Sequence, residues 1–305
     1  MGITAMNKSV AADLSLLLVV IIWGSTFVIV QDAIAFLTPF SFNAIRFLIA
    51  ALALCLFYIA FVKKSKAHFT ASSLKSGFII GFWLFLGYAF QTVGLLYTTP
   101  AKAGFITGLS VILVPLFAFI LMKQHLGKFA IAGVISATAG LYMLTLLQTA
   151  SFGKGDFLVL LCAVSFAMHI LMTEKYAKTV HAVPLTILQL ATVSLLSFIS
   201  SFLFEKPGQM YRMDVLLKDE VLYALLITSI LATAFAFLAQ TYFQVYTSAT
   251  RVAIIFALEP VFAAITSYFM TGERFTFSMV YGGLLILLGI ILAECPSVKA
   301  TEKAG

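Results

Sequence analysis

Glu259 stands directly before Pro260, about halfway along an apolar stretch of the chain. A carboxyl at that depth in a membrane-spanning helix is costly, and by default it marks function. It can take up and release a proton, which suits coupled transport. The alternative is a protonated or hydrogen-bonded glutamate that pins a kink. Arg46 lies about six residues into another apolar stretch. Its planar fork could hold an anionic group bidentately. Snorkelling of the stem to the outer interface, or a structural pairing, is the preferred reading.

Gln91 and Gln240 end two further apolar stretches. Tyr88 and Gln91 share a helical face with Gly77, Gly81 and Leu84, small at one end and polar at the other. Amides and phenols orient a polar ligand without a charge penalty, and they also glue helices together. Trp23-Gly24-Ser25-Thr26-Phe27 interrupts the first apolar run, and Ser165 and His169 occupy the corresponding part of the sixth. A lone intramembrane histidine can relay protons or serve as a hydrogen-bonded structural group. Trp23, Thr26, Tyr88, Gln91, His169, Gln240 and Glu259 are therefore the candidate cavity and coupling residues.

These residues need apolar helices to carry them. The hydrophobic fraction is 62% and only 10% of residues are charged, against about a quarter in ordinary soluble domains. The expected fold is an all-α polytopic membrane protein. Ten helices are predicted, at approximately 13–31, 40–62, 74–94, 99–121, 128–147, 155–174, 184–204, 219–240, 249–271 and 277–294. Connections are short and carry breakers such as Thr38-Pro39, Gly153-Lys154-Gly155 and Lys206-Pro207-Gly208. A cleavable leader ending near Ala33-Ile34-Ala35 is disfavoured, because the run from Leu14 to Val30 exceeds a usual signal core. With the N-terminus inside, the inner segments hold eleven Lys and Arg against five outside, which favours cytoplasmic termini.

The chain is also written twice. Gln91, Thr92, Tyr97, Thr98, Lys102, Gly133 and Gly140 recur 149 residues later as Gln240, Thr241, Tyr246, Thr247, Arg251, Gly282 and Gly289. Five spans separate the copies, so the second is inverted in the bilayer. Such repeats around a midplane site suit alternating access. Pro115 and Pro260 interrupt the fourth and ninth spans, displaced by four residues from the repeat register. Both are expected to kink their helices and line a cavity. With the prolines aligned, the mate of Glu259 is the apolar Val114. Gly133, Ala137 and Gly140 form a small stripe, repeated by Gly282 and Gly289, so spans five and ten are read as packing elements. Gly104 and Gly108 do the same or leave room for substrate.

Other chemistry is not indicated. There is no HExxH, no Gly-x-Ser-x-Gly elbow and no phosphate-binding Gly-x-x-x-x-Gly-Lys-[Ser/Thr] loop. Cys55, Cys162 and Cys295 form no CxxC. No catalytic residue, metal or cofactor is expected. The net charge of +7 sits in short loops, not in an aromatic-interleaved patch, so nucleic acid is not an expected partner.

The chain resembles the EamA family of the drug/metabolite transporter superfamily over almost its whole length, as repeats near 14–147 and 155–294. The resemblance rests on Trp23-Gly24-Ser25-Thr26-Phe27, Arg46, the stretch from Lys102 to Leu109 running on to Val114-Pro115, Leu258-Glu259-Pro260-Val261-Phe262, and Gly272-Glu273-Arg274. The first repeat has Lys123-Gln124-His125 where the second has Gly-Glu-Arg, and the second lacks the tryptophan of the first span. The resemblance implies ten helices with cytoplasmic termini in a prokaryotic cell membrane. It also implies a cavity built mainly from spans 1, 3, 4, 6, 8 and 9, with spans 5 and 10 peripheral.

The expected function is secondary transport of a small metabolite, an amino acid or related compound or a drug, by alternating access. Export is slightly favoured, proton coupling is an option, and Glu259 is the candidate for coupling or gating. The alternatives are a passive channel or facilitator and an intramembrane enzyme. The expected partners are a small-molecule substrate, the lipid bilayer and protons; oligomeric state is left open.

Overall fold

A computed structural model of the chain describes residues 2–62, 68–98, 100–124, 126–145, 152–206, 208, 211–271 and 277–294. Gly272-Glu273-Arg274, Cys295 and Pro207 lie outside the described residues, as do the side chains of Lys102 and Phe105.

The protein is an all-α polytopic membrane protein, and its ten spans form two inverted five-helix repeats. In hydrocarbon every backbone N–H and C=O must find a partner within the chain, so long apolar runs can only coil. Spans 1–3 are Gly2–Ile34, Pro39–Phe57 with a π-helical extension Tyr58–Val62, and Ala71–Gly94. The fourth is split into Pro100–Gly108 and Ser110–Met122, and the fifth is Lys128–Thr145. Spans 6 and 7 are Lys154–Ala177 and Ala182–Phe204. The eighth runs Asp219–Ser229, a π-helical stretch Ile230–Phe235, Ala236–Phe243 and a 3-10 turn Gln244–Tyr246. The ninth is split into Ala249–Phe256 and Glu259–Thr271, and the tenth is Phe277–Glu294. Among the described residues, seven spans are each long and apolar enough to cross a membrane, the broken ninth included; the fourth, fifth and tenth are shorter apolar helices.

Local chemistry sets the ends. The Thr70 hydroxyl accepts from the Ser73 amide at 3.1 Å and the Ser73 hydroxyl accepts from the Thr70 amide at 2.6 Å, a reciprocal cap on the third span. The second span is capped from another helix: Glu205, just past the seventh span, accepts from the amides of Phe40 at 2.6 Å and Ser41 at 3.1 Å. An anion belongs there because a helix start leaves its first amides without partners. Lys123 ends the fourth span at φ 53°, in the left-handed region where a helix terminus favours glycine. Its counterpart 149 residues on is Gly272.

The main core joins Leu16, Val19 and Val20 of the first span to Val111 and Val114, Ala167 and Leu171, and the buried run Val252 to Leu258 of the ninth. The first span is thus an integral wall of the bundle. Large apolar side chains such as Phe61, Phe119, Phe204 and Phe269 face outward. On a soluble surface they would be a liability; on this one they meet lipid.

Spans five and ten pack antiparallel through their small stripe. A Cβ at Gly133 would lie 2.6 Å from the Gly289 carbonyl, one at Gly289 would lie 2.7 Å from the Gly133 carbonyl, and Gly140 faces Gly282 in the same way. Repeat mates therefore exchange identical contacts across a pseudo-twofold axis, as an inverted repeat requires. The Ser136 hydroxyl adds a 2.7 Å bond to the carbonyl of Leu285, its own mate 149 residues on.

The two split spans correct the expected role of the prolines. The breaks lie at Leu109 and at Ala257-Leu258, so Leu109 and Leu258 stand in the 149-residue register that Pro115 and Pro260 do not keep. Leu109 has φ −60° and ψ −12°, and Ala257 has −62° and −11°. Pro260 lacks the N–H that the Phe256 carbonyl would accept, which fits the ninth break. Pro115 removes the partner of Val111, two residues beyond the fourth break, so that break is not made by the proline alone. Counted from the breaks, the mate of Glu259 is Ser110, a polar residue, not Val114.

Candidate functional site

A cavity lies between the two halves. It is lined from the first half by Trp23, Phe27 and Val30 of span 1, Arg46 of span 2, Leu84, Tyr88, Gln91, Thr92 and Leu95 around span 3, and Thr107, Gly108 and Ser110 of span 4. The second half adds Phe166, His169 and Ile170 of span 6, Phe237 and Gln240 of span 8, and Phe256 and Glu259 of span 9. None of these lining residues comes from span 5 or span 10. Within the cavity the centre of a water molecule can move through about 70 Å³. The cavity is thus narrow in this conformation.

Six of the seven candidate residues converge on it: Trp23, Tyr88, Gln91, His169, Gln240 and Glu259. Thr26 does not. It is buried beside the cavity, and its hydroxyl donates to the Trp23 carbonyl one turn back at 3.0 Å. Glu259 opens the second segment of the ninth span, next to the break, and Ser110 does the same in the fourth. Gly24 lets the first span close on this point, since a Cβ there would lie 2.7 Å from the Glu259 carbonyl.

Aromatic rings form much of the wall, and they too obey the repeat. Tyr88 and Phe237 are 149 residues apart, and Trp23 and Phe166 are 143 apart. Trp23 packs on Phe237 at 5.3 Å between centroids, and Phe166 packs on Tyr88 at 5.4 Å. The loss of a tryptophan from the second repeat therefore leaves an aromatic contact in place.

Arg46 does not snorkel. It is only 3% exposed. Its Nε donates to the Thr233 hydroxyl at 2.7 Å and its Nη2 to the Ala232 carbonyl at 3.4 Å. The same carbonyl receives the Trp23 indole N–H at 2.8 Å. Both acceptors lie in the π-helical stretch of span 8, whose wider turn breaks the ordinary i→i−4 ladder. The guanidinium also sits 5.0 Å from the Tyr88 ring centre and 5.5 Å from that of Phe47. The sequence left Arg46 among snorkelling, a structural pairing and an anion fork and gave no sign of the π stretch, at which the polar Thr233 inside an apolar span only hints.

Two hydrogen-bonded chains run through the polar side chains of spans 6 to 8. His169 Nε2 meets Gln189 Oε1 at 3.2 Å, and Gln189 Nε2 donates to the Thr241 hydroxyl at 3.0 Å. Gln244 Nε2 donates to the Ile170 carbonyl at 2.7 Å, which turns its Oε1 toward Gln240 Nε2 at 3.3 Å. That sequence of donors fixes the Gln240 amide. Its Oε1 is buried and meets no donor among the described residues. Gln91 Nε2 is engaged by the Thr107 hydroxyl at 3.3 Å. Among the described residues no group of His, Cys, Asp and Glu could hold a metal ion.

Polar ties join the halves at each end of the bundle. Asp13 of span 1 pairs with Arg251 of span 9 at the end that carries the N-terminus. At the other end the Thr98 hydroxyl donates to Asp156 of span 6 at 2.5 Å. Asp13 and Asp156 are 143 residues apart, so the same element carries the acid in each repeat.

The EamA-like transporter family model matches residues 10–146 and 153–294. An uncharacterized transporter of Archaeoglobus fulgidus is 37% identical over 291 residues, spanning 94% of this chain and 87% of its own. The uncharacterized transporter YoaV of Bacillus subtilis is 24% identical, over 92% of this chain and 95% of its own. A crystal structure at 19% identity superposes with a TM-score of 0.76 over 93% of this chain and 96% of that one, a likeness of fold. Two matched repeats covering nearly the whole chain, inverted about a shared cavity, make this multi-pass membrane protein a member of the EamA-like transporter family.

Proposed function

We propose that the protein is a secondary transporter for a small metabolite, an amino acid or related compound, working by alternating access with export as its direction. The observation that carries this reading is the cavity shared by the two halves, 14–147 and 155–294, with Glu259 at a helix break on its wall. A broken helix supplies a hinge and exposed backbone polar groups where a solute can be held. The ties Asp13–Arg251 and Thr98–Asp156 lie at opposite ends, so releasing one while the other holds would open one mouth at a time. The lysine and arginine distribution supports cytoplasmic termini in a prokaryotic cell membrane.

Glu259 is proposed as the coupling or gating group, with protons as the coupled ion. It shares the cavity with Arg46, Tyr88 and His169, the other charged or titratable side chains on its wall. Trp23, Tyr88, Gln91, His169 and Gln240 are proposed to contact the solute.

Metabolite profiles of medium and cytosol test the reading, in cells with the wild type against cells with Glu259→Gln at equal membrane levels. A compound enriched outside only with the wild type would name the cargo. In vesicles, Glu259→Gln should lose uptake driven by a pH gradient while solute counterflow persists. Flux without saturable counterflow would replace the carrier with a passive facilitator. Unchanged pH-driven flux in Glu259→Gln would remove the coupling role.

A further inference from the structure

Arg46 is the permanently charged group on the cavity wall, since a guanidinium keeps its proton in proteins. A cation taken this far from water needs compensation, and a neutral acceptor supplies only part of it. The partners of Arg46 are neutral: the Thr233 hydroxyl, the Ala232 carbonyl and the faces of Tyr88 and Phe47. Neither Arg46 nor Glu259 is in an ion pair with a described residue. A guanidinium has five N–H donors. Thr233 and Ala232 accept from two of them and the Tyr88 side chain also engages the guanidinium, which leaves the remaining donors of the fork for an occupant of the cavity.

The two bonds it does make have a second effect. They hold the guanidinium plane against span 8, so little side-chain freedom is lost when a ligand arrives. A planar, pre-oriented fork matches a carboxylate, which has two oxygens to accept parallel hydrogen bonds. Elsewhere on the wall stand acceptors of the opposite need: the Gln240 Oε1 that meets no donor among the described residues, and the Glu259 carboxyl.

We propose that Arg46 is the anchor for a carboxylate on the transported solute, making it the residue that selects solutes by charge. A donor group on the same solute would satisfy Gln240 and Glu259. This inference rests on the transport reading and deepens it.

The test uses the emission of Trp23. The chain has two tryptophans, and Trp83→Phe leaves only the one on the cavity wall. Full-length protein in lipid nanodiscs is titrated into the millimolar range with four compounds that share an isobutyl group and differ in charge: 4-methylpentanoate, leucine, leucinamide and 3-methylbutylamine. The two carboxylates should change Trp23 emission saturably, and the two cationic forms should not. Arg46→Gln should weaken carboxylate binding by roughly tenfold or more. Arg46→Lys, which keeps the charge and loses the fork, should fall between. Thr233→Val, which frees Nε without altering charge, should weaken it several-fold. Thermal melting of each variant separates lost binding from lost folding; if Arg46→Gln does not fold, Arg46→Lys and the four ligands decide. Cationic forms binding as tightly as leucine, or a folded Arg46→Gln that binds carboxylate unchanged, would overturn the proposal. Silence from both carboxylates would also overturn the anchor. It would leave the transport reading standing, since that reading falls only if metabolite profiles and counterflow reveal no cargo.

Discussion

The Ala232 carbonyl collects donors from two different spans, Trp23 from the first and Arg46 from the second. It is the point at which the first half grips the eighth helix. Trp23→Phe keeps an aromatic ring against Phe237 and Phe256 and removes the indole N–H together with part of the bicyclic ring. The expected cost is that of one intramolecular hydrogen bond, about 1 kcal/mol, plus the packing lost with the smaller ring. It should appear as a small drop in melting temperature of the purified protein, with the fold retained. A melting temperature equal to the wild type would mean that the bond adds nothing net. Gln240 poses a related case. Its oxygen meets no donor among the described residues, a local cost on a wall where a ligand can offset it.

Spans five and ten hold the repeats together without touching the cavity. In a bilayer, helices gain little from hydrophobic burial against one another, and close backbone approach takes its place. Gly133, Gly140, Gly282 and Gly289 make that approach possible. Gly140→Leu would drive a side chain into the Gly282 backbone, and overpacking of this kind costs about 1–3 kcal/mol or more. The expected outcome is a lower yield of monodisperse protein on size-exclusion chromatography. A parallel Gly208→Leu control meets open space and should behave as wild type. Equal yields from both would show that the stripe is not the packing contact described.

At the scale of the whole molecule, the proposed alternating access sets the ties at the two ends against each other. Asp13–Arg251 joins the halves at the end bearing the N-terminus, and Thr98–Asp156 joins them at the other. Weakening one tie should shift the population toward opening at that end. A single cysteine at Ser110, in a background lacking Cys55, Cys162 and Cys295, reports this through labelling by an impermeant maleimide. Applied from the side opposite the N-terminus, the reagent should react faster with Thr98→Val and slower with Asp13→Asn. One hydrogen bond corresponds to roughly a two- to tenfold change in rate. Thr98→Val leaves the Asp156 bond to the Gly153 amide intact, so the start of span 6 is not disturbed. Equal labelling in all three proteins would separate the ties from gating.

Whatever depends on neighbours along the chain was legible before any coordinates. Apolar runs too long for anything but membrane helices, the 149-residue repeat and the odd number of spans between copies already imply ten helices in two inverted halves. Six residues that line the cavity stand out in the sequence because a polar or aromatic-polar side chain in an apolar helix is conspicuous in one dimension. What the tertiary structure alone decided depends on partners far apart in the chain. Arg46 reads as either a snorkelling or a structurally paired arginine until Thr233, 187 residues away, is seen to hold it inward. Thr26 reads as a wall residue until its own helix takes its hydroxyl. The mate of Glu259 changes from Val114 to Ser110 because the register is carried by the helix breaks and not by the prolines. Helical periodicity says which residues share a face, but only packing says which face meets lipid, which meets a helix and which is left to meet a solute.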